Sequence, residues 1–295
     1  MSKRDGYIPG VPCWADTSQP DPEAAANFYG ELFGWQLENV MPADAPGQYY
    51  MARLDGGDVA AIGSNQDGQP AAWSTYVSVQ NADDTAAKVT ASGGRVLVEP
   101  FDVMDAGRMA VFADPEGAVF CVWQAGRHRG AQIVNQPGAV VFNGLNCRDV
   151  EAAKAFYGSV FGWGTTALDG GFEMWTLPGY GDHLELSDPG LRERIAGMGV
   201  APDFADVVAS INPIPADQRD TPPHWSLTFG VEDADVTAQR ATELGGTVVV
   251  APFDAPWVRT TVIRDPQGAM FIASKFEPEN RDLGARATTS AAAYT

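Results

Sequence analysis

Apolar and polar positions along the chain follow one order that recurs four times. Residues 11–18 alternate like a strand, and apolar residues at helical spacing then run over 23–33, with Asp21 as the predicted N-cap and Gly34 at the C-terminal end. Three strand-like segments come next, and residues 73–79 begin the same order again. The pattern predicts an α+β fold built from four βαβββ modules.

Sequence repeats group the four modules into two equivalent halves. FYGELFGW at residues 28–35 returns as FYGSVFGW at 156–163, and GGRVLVEPFD from Gly93 returns as GGTVVVAPFD from Gly245. A third block, ADPEGAVF, returns as RDPQGAMF. Because one βαβββ unit cannot close a core by itself, we expect each half to join its two units in one curved sheet with a shared concave face.

The repeats place two domains, at residues 8–126 and 138–277, on either side of a turn-rich linker. We expect them to fold as separate units packed against each other. The second domain carries an extra segment, residues 186–223, and a connection of this length inside a compact domain is usually a lid, a binding loop or a dimer arm. Residues 278–295 have no apolar period, and we expect a mobile tail there.

The tandem modules, the FYxxxFGW helix and the DPxGxxF strand resemble the vicinal-oxygen-chelate superfamily. That superfamily holds glyoxalase I, extradiol dioxygenases, fosfomycin-resistance enzymes and bleomycin-binding proteins. The paired layout, over about residues 8–277, is most similar to a glyoxalase-like "hydroxylase" branch of antibiotic pathways. The resemblance implies two tandem barrels, each with a ligand site on its concave face, but it does not fix the chemistry because the superfamily hosts several reactions.

The resemblance also implies where a metal would bind. In metal-using relatives the ligands are His, Glu or Gln on the first and last strands of each module. These positions map onto Trp14, Ala61, Ser74 and Cys121 in the first half and onto Phe142, Glu185, Ser226 and Ile272 in the second. One carboxylate cannot hold a divalent metal that needs several donors at fixed geometry. We therefore expect neither a transition metal nor another cofactor.

Aromatic and small polar residues stand where the metal ligands would be. Aromatic walls suit a flat, partly apolar organic ligand. The predicted ligand-binding residues are Trp14, Asp16, Ser74, Tyr76, Phe142, Trp175, His224 and Ser226. Two alternatives stay open: the aromatic rings simply fill the barrels, and Asp16 makes an Asx turn before Gln19 and Pro20 instead of acting as a polar anchor or general base.

A candidate catalytic pair lies in the second half. His183 and Glu185 are two residues apart in DHLEL, so in a strand both would project to one face, and a His beside a carboxylate can act as a general base near neutral pH. The extra segment begins here and could close over the pair. Alternatively, Asp182 and His183 form a solvated turn and Glu185 pairs with an arginine.

Composition limits the partners. The net charge of −19, from 38 acidic and 19 basic residues, repels nucleic acids and anionic membranes, although excess acid also keeps a protein soluble. No apolar run of about 18 residues occurs, and the three cysteines form no CxxC. We expect a cytoplasmic protein with a small-molecule ligand, and a homodimer stays open.

Two function classes follow from these observations. The first is a metal-free protein that binds an aromatic or partly apolar metabolite or antibiotic. The second is a secondary-metabolism enzyme, a hydroxylase, isomerase or lyase, that uses polar residues of the pocket. A metal-dependent glyoxalase or dioxygenase is a distant third. Binding without turnover would favour the first class, and product formation without metal the second.

Overall fold

The computed structural model describes residues 3–65, 68–168, 172–200 and 202–283, and they form two eight-stranded sheets in tandem. The first half contains β1 Pro12–Gln19, α1 Pro22–Phe33, β2 Gln36–Asn39, β3 Tyr49–Leu54, β4 Gly57–Ser64, β5 Ala72–Ser78, α2 Ala82–Ala91, β6 Arg95–Val103, β7 Gly107–Ala113 and β8 Val119–Ala125. The second half contains β9 Val140–Cys147, α3 Val150–Phe161, β10 Gly164–Leu168, β11 Phe172–Thr176, α4 Tyr180–Glu185, α5 Leu191–Gly197, β12 Val207–Pro213, β13 His224–Gly230, α6 Ala234–Glu243, β14 Thr247–Ala255, β15 Val258–Arg264 and β16 Met270–Phe276. Short 3₁₀ helices span Pro202–Asp206 and Pro278–Asn280.

The two sheets have the same strand order. The first runs β2-β3-β4-β1-β5-β8-β7-β6, and the second runs β10-β11-β12-β9-β13-β16-β15-β14. Each half therefore repeats a strand, a helix and three strands twice, which confirms the predicted α+β fold of four βαβββ modules. One detail of that prediction is wrong: both sheets are open at their edges within the described chain and are not closed barrels.

The first helix of the chain starts and ends on the residues that the sequence predicts, and its counterpart in the second half is capped in the same way. The Asp21 carboxylate accepts a hydrogen bond from the Ala24 amide at 2.9 Å, and Gly34 adopts the left-handed conformation at φ 72°. Asp149 and Gly162 do the same for α3, with Gly162 at φ 75°. Both helices thus begin on a side-chain cap and stop at a glycine, because only glycine adopts positive φ without strain.

The hydrophobic cores cross between the halves although the sheets do not. In one core, Tyr29 and Phe33 of α1 pack against Phe229 and Phe271 of the second sheet. The other core packs α3 of the second half against the first sheet. A hydrogen bond also joins the two halves, because Trp35 Nε1 donates to a backbone carbonyl at the start of the second half. The first helix of each half is therefore buried between strands of its own half and residues of the other half.

The repeated motifs form the polar centres of these shared cores. The Tyr29 hydroxyl donates to Asp265 Oδ2 at 2.9 Å and accepts from Trp73 Nε1 at 2.9 Å. In the other core, Tyr157 donates to Asp114 at 3.0 Å and accepts from an indole in the same way. The other carboxylate oxygen of each aspartate accepts three backbone amides of the DPxG turn. The motifs therefore join the halves and specify the fold.

The extra segment of the second half is placed differently from the prediction. DHLEL is not a strand, because residues 180–185 form α4. The last strand of the third module is β12, which lies inside the predicted insertion at 186–223. The inserted residues are therefore 177–206, between β11 and β12, where the first half has only the tight turn between β3 and β4.

Two further findings concern the ends of the chain and its helices. In the predicted tail at 278–295, residues 278–280 form a short 3₁₀ helix, and 284–295 lie outside the described residues. None of the helices in the described chain is long and apolar enough to cross a bilayer.

Candidate functional site

Helices α1 and α2 pack on one face of the first sheet, and α3 and α6 pack on one face of the second. The opposite face of each sheet, free of these four helices, is called the helix-free face. Ala15 of β1 and Leu145 of β9 point into the cores that contain the helices. Since successive strand residues point to opposite faces, Asp16 and Gly144 lie on the helix-free faces. The N-terminal face comprises Trp14, Asp16, Ala61, Ser74, Tyr76, Cys121 and Trp123. The C-terminal face includes Phe142, Gly144, Asn146, Met174, Ser210, Asn212, His224, Ser226, Thr228, Val250, Phe253, Val262, Ile272 and Phe276.

Apolar side chains fill the centre of the N-terminal face. Trp14 and Tyr76 are each 6 % exposed, and Cys121 and Trp123 pack with them in a separate buried cluster. Burial also raises the pKa of the Cys121 thiol, against the hydrogen bonds from Tyr76 and Ser74. The alternative that aromatic residues fill the interior therefore describes this half.

One carboxylate lies inside this apolar cluster. Tyr49 and Tyr76 both donate to Asp16 Oδ2, at 3.0 and 2.9 Å, and Trp14 Nε1 donates to the Tyr49 hydroxyl at 3.2 Å. Burial raises the pKa of Asp16 from 3.8 to about 6, and the two phenol hydrogen bonds oppose part of that rise. Asp16 pairs with Ala61 and Ser74 inside the sheet, so it does not form the turn that the sequence left open.

The linker covers the N-terminal face. The His128 ring lies edge-on to Trp14 with 4.4 Å between the ring centroids, and Trp123 Nε1 donates to the His128 carbonyl at 2.9 Å. The chain passes closely over β1 because Gly130, at φ 100°, has no side chain; a Cβ there would lie 2.5 Å from the Cys13 carbonyl. Access to Asp16 therefore requires the linker to move.

Small polar groups gather at the centre of the C-terminal face. Asn146 Nδ2 donates to Ser226 Oγ at 3.0 Å, and Asn212 Nδ2 donates to Ser210 Oγ at 3.2 Å. A side chain at Gly144 would meet the polar ends of Asn212, Ser210 and Ser226 at 2.6, 2.7 and 3.0 Å. These hydroxyl and amide groups are half-buried, so they can still bond to a bound molecule.

An apolar wall stands beside these groups. Strands β14, β15 and β16 place Val250, Phe253 and Phe276 on the C-terminal face, with exposed fractions of 41, 45 and 56 %. Ile272 and Phe142 continue the wall inward and are half-buried. The face thus combines an exposed apolar wall with hydrogen-bonding groups, which is the usual make-up of a small-molecule site.

The predicted catalytic pair is not assembled. His183 is exposed on α4, and Glu185 accepts the backbone amide of Arg192 at 3.1 Å. Because a helix turns by about 100° per residue, side chains two apart point in nearly opposite directions. The expectation that both share one strand face is therefore wrong. The alternative, in which Glu185 pairs with an arginine, is closer to the structure, since the Glu185 carboxylate accepts a hydrogen bond from Arg192.

Trp175 is also not at a ligand face. It is fully buried in the shared core, with ring centroids 5.5 Å from both Tyr157 and Trp163. Strand parity explains the difference, because its neighbour Met174 pairs with Ser210 and so occupies the helix-free face. His224 lies at the start of β13, half-buried, with Nδ1 2.8 Å from the Pro222 carbonyl.

The residues present do not suit a metal. The position assigned to Glu185 belongs to Ser210, since Ser210 pairs with Gly144 as Ala61 pairs with Asp16. Within residues 3–65, 68–168, 172–200 and 202–283, no three His, Cys, Asp or Glu side chains come together as a donor set. A divalent ion would find too few ligands on either face.

Several residues of the C-terminal face were missed from the sequence. Asn146 could have been found from the alternation of side chains along a strand, because it lies two residues after Gly144 and so points to the same face. Phe253 lies in a block that recurs in both halves, but nothing in the repeat shows that it is exposed. Ser210 and Asn212 were hidden because their strand was assigned to the insertion.

Two open sheets of paired βαβββ modules, each with a helix-free face, define a protein of the vicinal-oxygen-chelate type. The chain belongs to the glyoxalase/bleomycin resistance protein/dioxygenase superfamily: the model of that superfamily matches residues 17–122, and a glyoxalase-like domain model matches 139–273.

Relatives of similar length support this assignment. The chain is 36 % identical over 284 residues to "Putative glyoxylase CFP32" of Mycobacterium tuberculosis, covering 95 % of this chain and 100 % of the relative. It is 35 % identical over 280 residues to "Anthracycline biosynthesis protein DauV" of Streptomyces sp. strain C5, covering 90 and 93 %.

Solved structures share the fold. The Mn(II)-bound glyoxalase from Novosphingobium aromaticivorans superposes with a TM-score of 0.57 at 16 % identity, covering 93 % of this chain and 83 % of that one. The 2,3-dioxygenase LapB from Pseudomonas sp. KL28 gives 0.56 at 12 % identity, covering 91 and 93 %. At such identities the likeness concerns the fold alone.

Proposed function

We propose that the chain is a metal-free small-molecule-binding protein and that its ligand occupies the C-terminal face. One observation carries the proposal: exposed Val250 and Phe253 stand beside the half-buried polar groups of Asn146, Ser210 and Ser226. Apolar surface next to hydrogen-bonding groups suits a partly apolar ligand with polar substituents. The N-terminal face supports no such role in its present conformation, because its own side chains and the linker fill it.

The ligand class is proposed from the relatives and from the face together. Two relatives carry the name of anthracycline biosynthesis proteins. An anthracycline has a flat ring system and polar substituents, and these match the apolar wall and the polar centre of the C-terminal face. We therefore propose a flat aromatic metabolite of this kind as the ligand.

Fluorescence titration with an anthracycline tests the proposal, with a matched pair of variants. Phe253 and Phe101 occupy equivalent positions of β14 and β6, in the C- and N-terminal halves, and are exposed to 45 and 44 %. We expect Phe253→Ala to weaken binding at least about tenfold, about 1.4 kcal/mol, and Phe101→Ala to leave it unchanged. Equal effects of the two substitutions, or no saturable binding, would refute the proposal.

Elemental analysis tests the metal-free part of the proposal. We expect far less than one Zn, Ni, Fe or Mn per chain after purification without chelators, because too few donor side chains converge on either face. A stoichiometric metal in either half would contradict it.

A second candidate function, catalysis, rests on Asp16. A carboxyl with a pKa of about 6 among apolar side chains can exchange a proton near neutral pH, and its phenol partners would orient it. Mass spectrometry of the bound ligand separates the two functions. Recovery of the unchanged ligand supports binding alone, whereas a product that disappears in Asp16→Asn supports catalysis.

A further inference from the structure

A cleft outside both helix-free faces gathers arginines from two distant parts of the chain. It lies where the N-terminal segment meets the linker and encloses about 410 Å³. Arg4 N donates to the Gln132 carbonyl at 2.8 Å, which holds the two segments together. The lining residues are Arg4, Asp5, Asp58, Arg127, His128, Arg129, Gly130 and Gln132.

Arg4 brings a positive charge that no carboxylate neutralises among the described residues. Its guanidinium donates to the Tyr180 hydroxyl at 2.8 Å and lies 5.2 Å from the centre of the Tyr7 ring, and both partners are neutral. Arg4 is also half-buried, so water compensates its charge only in part.

Arg129 is the second such group. Its contact in the described chain is a long one, 3.5 Å from Nη1 to the Asp5 carbonyl, and it forms no ion pair there. Many other arginines do pair with carboxylates: Arg53, Arg108, Arg127, Arg192, Arg194, Arg240, Arg259 and Arg281. In a chain of net charge −19, this cleft therefore brings together two guanidinium groups that form no ion pair among the described residues.

The remaining polar groups leave room for an anion. Asp58 is already engaged by Arg53 at 3.0 Å, and Arg127 is paired with Asp105. His128 Nε2 is buried and has no hydrogen-bond partner within the described structure. Exposed Asp5 is the carboxylate that would compete with an anion for the guanidinium groups.

We propose that this cleft is a binding site for a small oxyanion, a carboxylate or phosphate group, held by Arg4 and Arg129. The guanidinium fork matches the geometry of both groups and forms charge-assisted hydrogen bonds with them. The acidic surface elsewhere disfavours polyanions, so the ligand is a small acid and not a nucleic acid. The cleft lies away from the C-terminal face on which the proposed ligand binds. The test of the anion site is therefore independent of the test of the proposed function.

Calorimetric titration of the full chain with inorganic phosphate and with benzoate tests the site, with sodium chloride at equal ionic strength as the reference. We expect saturable binding of at least one of the two acids, and their ratio tells which group the cleft prefers. Arg129→Gln should weaken it at least about tenfold. Asp5→Asn should tighten it by removing the competing carboxylate.

Arg95→Gln is the matched control. Arg95 is exposed on β6 and forms no ion pair within the described residues, so its removal changes the net charge equally without touching the cleft. We expect unchanged affinity in this variant. Binding no stronger than that of chloride, or equal weakening by Arg95→Gln and Arg129→Gln, would overturn the proposal.

Discussion

One register position separates the chemistry of the two faces. Asp16 in the first sheet and Gly144 in the second occupy equivalent sites, opposite Ala61 and Ser210 respectively. Asp16 fills its site and bonds to two phenols, whereas Gly144 leaves its site to the polar ends of neighbouring side chains. Together with the aromatic side chains and the linker on the first sheet, this difference makes one face a core and leaves the other accessible.

The raised pKa of Asp16 predicts a stability difference that depends on pH. In the unfolded chain the carboxyl ionises near 3.8, but in the fold only near 6, so the folded state binds the proton more tightly. As pH rises from 3.8 to 6, the free energy of unfolding of the wild type therefore falls by about 3 kcal/mol relative to that of Asp16→Asn. Urea unfolding of both proteins at several pH values measures this, and parallel curves would show an unperturbed carboxyl.

Tyr157 predicts a second effect at the residue scale. Its hydroxyl donates to Asp114 and accepts from Trp225 inside a shared core, so Tyr157→Phe leaves two buried groups without a partner. We expect the free energy of unfolding to fall by about 2 kcal/mol. Tyr50→Phe is the control, since Tyr50 packs at the edge of one core but its hydroxyl forms no hydrogen bond among the described residues, so the loss should be less than about 0.5 kcal/mol. Equal losses in chemical denaturation would contradict the assigned role.

At the scale of elements, local patterns predict most of the fold but not the region between β11 and β12. The helix caps and the repeats identify every module, because these signals are short-range and occur twice. The run DFADVVASI divides into a 3₁₀ helix and strand β12, and periodicity cannot separate helix from strand in so short an apolar run. Because this run was assigned to the predicted insertion, the last strand of the third module was misplaced, and Ser210 with it.

The placement of α4 predicts that His183 and Glu185 have no direct role on the C-terminal face. Both side chains lie on a helix of the inserted segment and not on one of the strands that form that face. We expect His183→Gln and Glu185→Gln to bind the anthracycline like the wild type in the same fluorescence titration. A loss of about tenfold in either variant would mean that the segment contributes to the site.

At the scale of the whole molecule, the two sheets are separate but the cores are not. Residues of α1 pack on the second sheet and residues of α3 on the first, so each core needs both halves. Sequence repeats indicate the two halves, but they cannot show that the cores of the two halves merge, because shared and separate cores bury the same residue types.

The shared cores predict that neither half folds as a monomer. Residues 1–132 or 133–295, produced alone, would expose Tyr29 or Tyr157 and the aromatic rings around it to water. We expect that either half, where light scattering shows it to be monomeric, has no cooperative thermal transition when it is followed by circular dichroism. Co-expression of both halves should restore the transition. A monomeric half that melts cooperatively would refute the shared cores.

The crystal structure of the chain with a bound anthracycline tests the central claim most directly. The account predicts that the ring system lies on the C-terminal face, in contact with Phe253 and with its polar groups near Ser226. The N-terminal face should still be closed by His128 in that complex. A ligand seated beside Asp16, with the linker displaced, would contradict the account.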